Sequence, residues 1–495
     1  MTDPESSQGC DHTPPSPASD LLEFEGWLDH VSLTLTMNCS RQELLAALEA
    51  QSQDQPFSEL CRTYVHELAH VGQTLGTTLG YYTWMLRSVQ VDYVIRMLKW
   101  LVQEAKAPIR SPLIKYLPSL SAYDDKAAGL VHGWQITESL ITEVAGSVNN
   151  PFHAAAQPAA LITPWQRQWS RLQSNILELY ETATQRFPDQ FFLALHSEKF
   201  VEAPEEYMAM LMTLPTTGMF TIAGVMESAA LAVELSPEDD RGLRAILDEP
   251  QHGMEVIESV GLLHRTRRAY PDLPARRLLA THIAACDAAL NPPCLPQHYL
   301  DRQGANVTEL HPMARIVEIW LTLGDRIRPA QDIDDALRCA DDICATLGWT
   351  TVSDTLARAA ASFRGNGADP RGRAFAKAMW GRTVYPPLLH NPWVPIWGTG
   401  PLVDTYNAEL VPAFFVLDDV SVPGSPERSD GLLLQSLRDQ WTRSMMIGKP
   451  AVLRSPVPLP DDTLNHYQSR LAREFSVSIG KEFRPPSVKN STPGF

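Results

Sequence analysis

Apolar residues recur three and four positions apart along most of the chain, which is the spacing of an amphipathic α-helix. Residues 40–51 show the pattern first: Leu44, Leu45 and Leu48 share one stripe, and Ser40 forms a capping box with Glu43. The same spacing predicts further helices at 56–75, 81–105, 162–186, 220–234, 273–290, 311–325, 331–347, 352–363 and 431–446.

Strand signals are few. The segment "LVPAFFVLDDVSV" at 410–422 is the clearest, and "HVSLTLTMN" at 30–38 alternates apolar and polar positions. The prolines of 385–402 exclude a regular helix there, because proline lacks the backbone donor. The predicted fold class is therefore mainly α with minor β.

The chain of 495 residues is longer than one ordinary hydrophobic core supports, so more than one domain is expected. Residues 1–19 are rich in Ser and Pro and predict a disordered arm, and 485–495 predict a disordered tail. The helical pattern breaks near residue 300. This break predicts a first domain at 20–300 and a second domain at 301–484. The second domain is expected to be mainly helical, and the 410–422 strand makes it a C-terminal α/β region.

The net charge narrows the choice of partners. The chain carries 41 Lys+Arg against 58 Asp+Glu, a formal charge of −17. Such a surface repels a phosphate backbone and an anionic leaflet, so neither nucleic acid nor a membrane is the expected partner. A small-molecule or peptide substrate is expected instead.

Targeting and cysteine patterns point to a soluble, cytoplasmic protein. No apolar run approaches the ~18 residues of a membrane span, and the N-terminus lacks the basic-then-apolar order of a signal peptide. The seven cysteines are scattered, without a CxxC pair, so neither a disulfide framework nor a cysteine-ligated zinc cluster is expected.

One segment carries clear chemistry, the stretch "CRTYVHELAHVGQTLGTTLGYY" at 61–82. His66 and His70 are four positions apart, so on a helix both rings face one side and can bind one metal ion. Glu67 lies about 100° further around the helix. There it can take a proton from a metal-activated water and pass it to a leaving group. The other residues from 63 to 71 are uncharged, which indicates a buried helix whose polar groups need a partner.

The segment "TYVHELAHVG" resembles the metal helix of the zincin-like metallopeptidases. Its continuation is similar to a group of largely uncharacterised bacterial proteins with a His-Glu-x-x-His-x-x-Gln helix. Gly72 departs from the apolar residue usual in the family, and the resemblance covers about 30 residues closely and the segment to 297 loosely. It implies a zincin-like domain with Zn²⁺ as cofactor, whose metal helix packs against a second helix carrying a glutamate ligand.

A catalytic zinc needs a third protein ligand, and no third histidine follows at the His-x-x-His-x-x-Gly-x-x-His spacing. Glu138 and Glu227 compete for this role. We favour Glu227, because its neighbours from 219 to 233 are uncharged and many are small, whereas Glu138 has Glu143 as a second acid nearby. The segment "MESAA" around Glu227 also resembles the one that carries the third ligand in glutamate-type zincins. The predicted ligands are thus His66, His70 and Glu227, with Glu138 left as the alternative.

A hydrogen-bond donor for a developing oxyanion would complete a peptidase site. The spacing selects none of the candidates, which are Tyr81, Tyr82, His132, His153 and His196. Gln73 follows His70 closely enough to hydrogen-bond a ligand histidine, although packing at the helix end explains it equally well.

Three functions follow from this pattern. The first is a zinc-dependent hydrolase, most simply a peptidase or amidase, with Glu67 as general base. The second is a helical di-iron carboxylate enzyme that uses the Glu67–His70 pair, although the repeat of that pair at Glu249–His252 contains Pro250. The third is a non-catalytic binding protein on a zincin-like scaffold.

Overall fold

The structure is a computed structural model, and it describes the chain in separate stretches. The longer ones are 26–51, 58–145, 222–235, 240–248, 254–293, 326–363, 426–448 and 452–484. Shorter pieces lie at 318–320, 322–324, 414–418, 421–423 and 487–490, with single positions at 309, 315, 375, 378, 379, 382 and 412.

Helices make up most of the described chain. They are α1 Arg41–Gln51, α2 Glu59–Gly76, α3 Thr78–Gln103, α4 Leu113–Tyr116, α5 Asp125–Ala145, α6 Ile222–Glu234, α7 Asp240–Asp248, α8 Met254–Ala269, α9 Ala275–Leu290, α10 Ala336–Thr346, α11 Val352–Phe363, α12 Pro426–Ile447 and α13 Asp461–Ile479. The predicted class, mainly α with minor β, is confirmed. None of these helices combines the length and the apolarity that a membrane span requires.

In the part of the chain that the structure describes, six short strands form two sheets. They are β1 Gly26–Asp29, β2 Thr34–Met37, β3 Phe414–Val416, β4 Ser421–Pro423, β5 Val452–Ser455 and β6 Ser487–Asn490. The first sheet has the order β1-β2-β3-β4, antiparallel at both ends and parallel between β2 and β3. The second pairs β5 with β6 in parallel, and α13 lies between them in the chain.

The pairing of β2 with β3 joins distant parts of the chain. Thr34, Leu35 and Thr36 align with Phe414, Phe415 and Val416, so one sheet takes strands from both sides of residue 300. The buried apolar residues of both regions also belong to one cluster. The expected division at residue 300 therefore does not coincide with a break in this sheet or in the core.

The disordered tail predicted at 485–495 is wrong for 487–490, which form β6. Pairing with β5 supplies the backbone partners that this short polar segment lacks alone. The Asn490 side chain makes two hydrogen bonds with the Leu459 backbone. It accepts one from the Leu459 N–H at 2.8 Å and donates one to the Leu459 carbonyl at 2.9 Å. Helices α7, α8 and α13 were not predicted, and the predictions for 1–19 and 162–186 lie outside the described residues.

A one-residue corner joins α2 to α3. Thr77 ends the first helix by donating to the Gln73 carbonyl at 2.7 Å, and it caps the second by accepting from the Gly80 N–H at 3.0 Å. A Cβ on Gly80 would lie 2.2 Å from the Thr74 carbonyl oxygen, so glycine is what permits this close approach.

A buried polar network fixes the C-terminal end of α2. Arg382, only 1% exposed, donates to the Gly76 carbonyl at 2.8 Å and pairs with Asp287 of α9. Asn291 follows directly after that helix and accepts from the Thr78 N–H at 3.0 Å. The last carbonyl of α2 and the first amide of α3 are therefore both held by the α9 region and by a buried guanidinium.

The α3–α5 contact makes a testable prediction about packing. A Cβ on Gly133 of α5 would lie 2.4 Å from the ring of Tyr93, which is only 3% exposed. We expect Gly133→Ala to lower the free energy of unfolding by about 1–3 kcal/mol, because the added methyl group would overlap the Tyr93 ring and force it to shift. Urea denaturation measures the change.

Gly129, one turn earlier on α5, is the matched control. Its Cβ position has no atom within 4 Å, so Gly129→Ala should be neutral or stabilising by up to ~1 kcal/mol through helix propensity alone. Equal destabilisation by both variants would contradict the close contact at Tyr93.

Candidate metal centre

The two histidines of α2 and one glutamate of α6 converge on a single point. His66 Nε2 lies 3.2 Å from His70 Nε2 and 3.1 Å from Glu227 Oε2, and His70 Nε2 lies 3.3 Å from Glu227 Oε1. Among the described residues, these three are the only group of His, Cys, Asp and Glu side chains placed to hold a metal ion. The structure thus brings together the three residues that the sequence predicted as ligands.

The composition of α6 explains why Glu227 can reach α2. Gly224, Ala229 and Ala230 are all buried, so the backbone of α6 approaches its neighbours closely. Ser228 points away from the metal residues and hydrogen-bonds Nε2 of the buried His282 at 2.7 Å. The single acid in this apolar stretch is therefore presented towards the histidines while α6 is anchored on α9.

Each histidine is oriented by a second hydrogen bond at its other ring nitrogen. His66 Nδ1 lies 3.1 Å from Glu234 Oε2, and a carboxylate can only accept, so the proton belongs to Nδ1. His70 Nδ1 lies 2.9 Å from Gln73 Oε1. The Gln73 amide must face this way because its Nε2 donates to the Met226 carbonyl at 2.8 Å. When the rings are neutral, each therefore carries its proton on Nδ1 and leaves its Nε2 lone pair for a metal ion at the centre.

With both rings neutral, their Nε2 lone pairs and the Glu227 carboxylate are all acceptors, and a positive charge must then lie between them. Burial alone would lower the pKa of His66, but its hydrogen bonds to Glu227 and Glu234 outweigh burial and raise that pKa to about 10. Burial would raise the pKa of Glu227, but the His70 and His66 rings hold it well below its usual range. A positive charge between the three side chains, from protons or from a metal ion, is what this arrangement favours.

The spacing of the donor atoms fits a tetrahedral metal ion. Four ligands at ~2.0–2.1 Å from a tetrahedral zinc lie about 3.3 Å from one another. The two Nε2 atoms lie 3.2 Å apart, and each lies 3.1–3.3 Å from a different oxygen of Glu227, so these separations are close to that value and also match ordinary hydrogen bonds. Two imidazoles and a carboxylate are a ligand set that Zn²⁺ accepts, and other first-row divalent ions accept it too. The geometry therefore favours a metal site without identifying zinc.

Glu67 lies beside the centre and beneath β1. It is 4% exposed, and a Cβ on Gly26 would lie 3.3 Å from its Cγ, so the strand passes directly over it. Burial raises the pKa of the Glu67 carboxyl, and the neighbouring His70 and His66 and the backbone N–H of Leu28 partly offset that rise. A buried carboxyl next to the centre, but outside the ligand group, suits proton transfer.

The centre opens to solvent on the Glu227 side. The side chain of Glu227 is 39% exposed, whereas those of His66 and His70 are 13% and 5% exposed. His30, on the β1–β2 turn, borders the site: its Nδ1 lies 2.9 Å from Thr74 Oγ1 and its ring packs edge-on against His70 at 5.7 Å. Asp29 stabilises this turn by accepting from the Val31 N–H at 3.0 Å.

The other sequence candidates lie elsewhere. Glu138 accepts from Gln90 at 2.8 Å and pairs with Arg443 at 2.8 Å, so it is not near the histidines. Gln73 does bond a ligand histidine, one of the two roles that the sequence allowed for it. Tyr81 packs against Phe375 at 5.1 Å, His132 is exposed on α5, Tyr82 is buried on α3, and His153 and His196 lie outside the described residues.

Two site residues were missed from the sequence, Glu234 and His30. Glu234 follows Glu227 by two helical turns and so shares its face, which is a signal the sequence carries. His30 carries no such signal, because its contact with His70 depends on how the β1–β2 turn packs on α2.

Comparison with known proteins gives no match: no family model, no curated protein and no solved structure is significantly similar to the chain. The resemblance to zincin-like proteins therefore stays a prediction, and any proposal about function rests on the geometry of the centre.

The hydrogen bond between His66 and Glu234 predicts a role in metal affinity. Glu234→Leu removes the acceptor for His66 Nδ1–H, so we expect affinity for divalent metal to fall about 10–100-fold. Competition with a chromophoric chelator measures it. Glu138→Leu is the matched control and should leave the affinity unchanged; an equal loss in both variants would contradict a specific role for Glu234.

Gln73 makes two bonds that substitution can separate. Gln73→Glu keeps an acceptor for His70 Nδ1–H but loses the donor to the Met226 carbonyl, whereas Gln73→Leu loses both. We expect Gln73→Leu to weaken metal binding about 10–100-fold and Gln73→Glu to weaken it less. The same chelator titration decides this, and identical losses would show that the bond to His70 does not contribute.

Proposed function

We propose that the protein is a zinc-dependent hydrolase that cleaves peptide or amide bonds. The observation that carries the proposal is the convergence of His66 Nε2, His70 Nε2 and the Glu227 carboxylate, with both Nδ1 atoms engaged by acceptors. Such an arrangement costs several kcal/mol unless a cation neutralises it. Glu234 and Gln73 each hold one of these imidazoles in place through a hydrogen bond at Nδ1, which supports a metal-binding role.

The residues divide the work of hydrolysis among them. His66, His70 and Glu227 would hold the ion, and Glu234 and Gln73 keep the two imidazoles in the tautomer that can ligate. A divalent ion bound there supplies Lewis acidity, which lowers the pKa of water and polarises a carbonyl group. Glu67 lies in a buried position next to this point, so it can accept the proton of the attacking water and return it to the leaving amine.

A peptide suits the strand that borders the site. In the described part of the chain β1 is an edge strand, since it pairs only with β2. Glu67 lies beneath β1, since a Cβ on Gly26 would lie 3.3 Å from its Cγ, so a segment paired with the outer edge of β1 would run beside the centre. An extended peptide can add to such an edge through its backbone, which would place a peptide bond next to Glu67.

Substitution of Glu67 separates metal binding from turnover. Glu67→Gln should retain metal, because Glu67 is not in the ligand group, and should lower turnover by about 10²–10⁴-fold through loss of the proton acceptor. Metal content by elemental analysis and hydrolysis of a panel of peptides, esters and amides measure the two effects.

Two comparisons make this test specific. Glu227→Ala should lose the metal as well as the activity, and chelator treatment of the wild-type protein should abolish turnover until metal is restored. Full activity in Glu67→Gln would contradict the proposed role, and metal binding with no chelator-sensitive turnover on the panel would favour a binding protein.

A further inference from the structure

The strand beside the centre carries a large apolar side chain in solvent. Trp27 of β1 is 56% exposed, although it lies between Gly26 and Leu28, which is 2% exposed. It makes no hydrogen bond, ion pair or ring contact with any residue that the structure describes. Most surface tryptophans cover part of their ring area against neighbouring side chains, because an indole carries about 150–250 Å² of largely apolar surface.

The register of β1 determines where Trp27 points. Gly26 faces α2, since a Cβ there would lie 2.9 Å from Thr63 Cγ2 and 3.3 Å from Glu67 Cγ. Successive side chains of a strand alternate between the two faces of a sheet, so Trp27 lies on the opposite face. Its neighbour across the strand pair is Thr36 of β2. On the opposite edge of β1, a side chain next to Trp27 would come from a peptide that pairs with that edge.

We propose that Trp27 is a specificity residue, which contacts a side chain of the peptide bound along β1 and favours an aromatic or large apolar residue there. This inference rests on the proposed function and names the substrate class more closely. A side chain directly across an antiparallel or parallel edge lies about 5 Å away at Cβ, within reach of an indole.

The structure favours a peptide over other occupants of this surface. Among the described residues, Trp27 is the only exposed large apolar side chain of this sheet, and it lies next to Thr36 of β2. In that part of the chain it therefore does not belong to a broad exposed apolar patch of the kind that a stable dimer or a membrane buries. The ring also belongs to the strand that passes over Glu67, so a ligand that reaches both must be extended along β1.

The alternation of the strand gives the inference a distinctive signature. An aromatic residue of the bound peptide that lies opposite Trp27 points to the same face of the sheet as the indole. If the aromatic residue is moved by one position along the peptide, its side chain points towards α2 instead. The preference should therefore appear at one position of the peptide, disappear at the adjacent positions and return with reduced strength at the next position on the same face.

Binding of hydroxamates to the cobalt-substituted protein tests the role of Trp27 without a measurement of hydrolysis. Acetohydroxamate reports ligand access to the metal through the visible cobalt spectrum, and a series of tetra-alanine hydroxamates with one phenylalanine at each position in turn reports side-chain preference. We expect wild-type protein to bind one member about three- to ten-fold more tightly than the all-alanine peptide. Trp27→Ala should remove that gain and leave acetohydroxamate binding unchanged, and Trp27→Phe should retain a fraction of it.

The control is Leu45→Ala, which removes another exposed apolar side chain, 54% exposed on α1, and should preserve the gain. A gain that persists in Trp27→Ala, or wild-type protein without any gain, would overturn the inference while leaving the metal site intact. If acetohydroxamate does not perturb the cobalt spectrum of wild-type protein, the proposed function fails and this inference fails with it.

Discussion

Three acceptors that face one another at 3.1–3.3 Å are the constraint on which the site depends. Two imidazole lone pairs and a carboxylate repel unless a positive charge lies between them, and a half-buried setting strengthens that repulsion. Glu234 and Gln73 each accept the proton at Nδ1, so a neutral ring has its lone pair at Nε2. The arrangement is therefore built from five contacts between side chains of two helices.

The rest of the fold keeps these two helices in place. At one end of α2, Arg382 and Asn291 satisfy the backbone groups of the corner, and Gly80 lets α3 leave it at close range. On the other side of the site, α6 is tied to α9 through Ser228 and His282. β1 covers Glu67, and its sheet includes β3 from far along the chain. The distant C-terminal region therefore contributes to positioning the strand that borders the centre.

The sequence predicted the residues whose signal is local. His66 and His70 follow from their i, i+4 spacing, and Glu227 follows from being the one charged residue between 219 and 233. The position of Glu138 beside Gln90 and Arg443 supports this choice. Glu234 was missed because the run of neutral neighbours around Glu227 ends one residue before it. His30, Arg382 and β6 depend on contacts between segments far apart in the chain, and a single sequence carries no pattern for such contacts. The pairing of β2 with β3 is another such contact, between segments on either side of residue 300.

X-ray absorption at the metal edge of the purified, untreated protein tests the central claim most directly. A metal centre at His66, His70 and Glu227 predicts about one metal per chain, with two imidazole nitrogens at ~2.0–2.1 Å and oxygen ligands completing the shell. A shell containing sulfur at ~2.3 Å would contradict this metal centre, because these three side chains would then not be the ligands. Protein that holds no metal as purified, and still binds none when divalent metal is added, would contradict it as well.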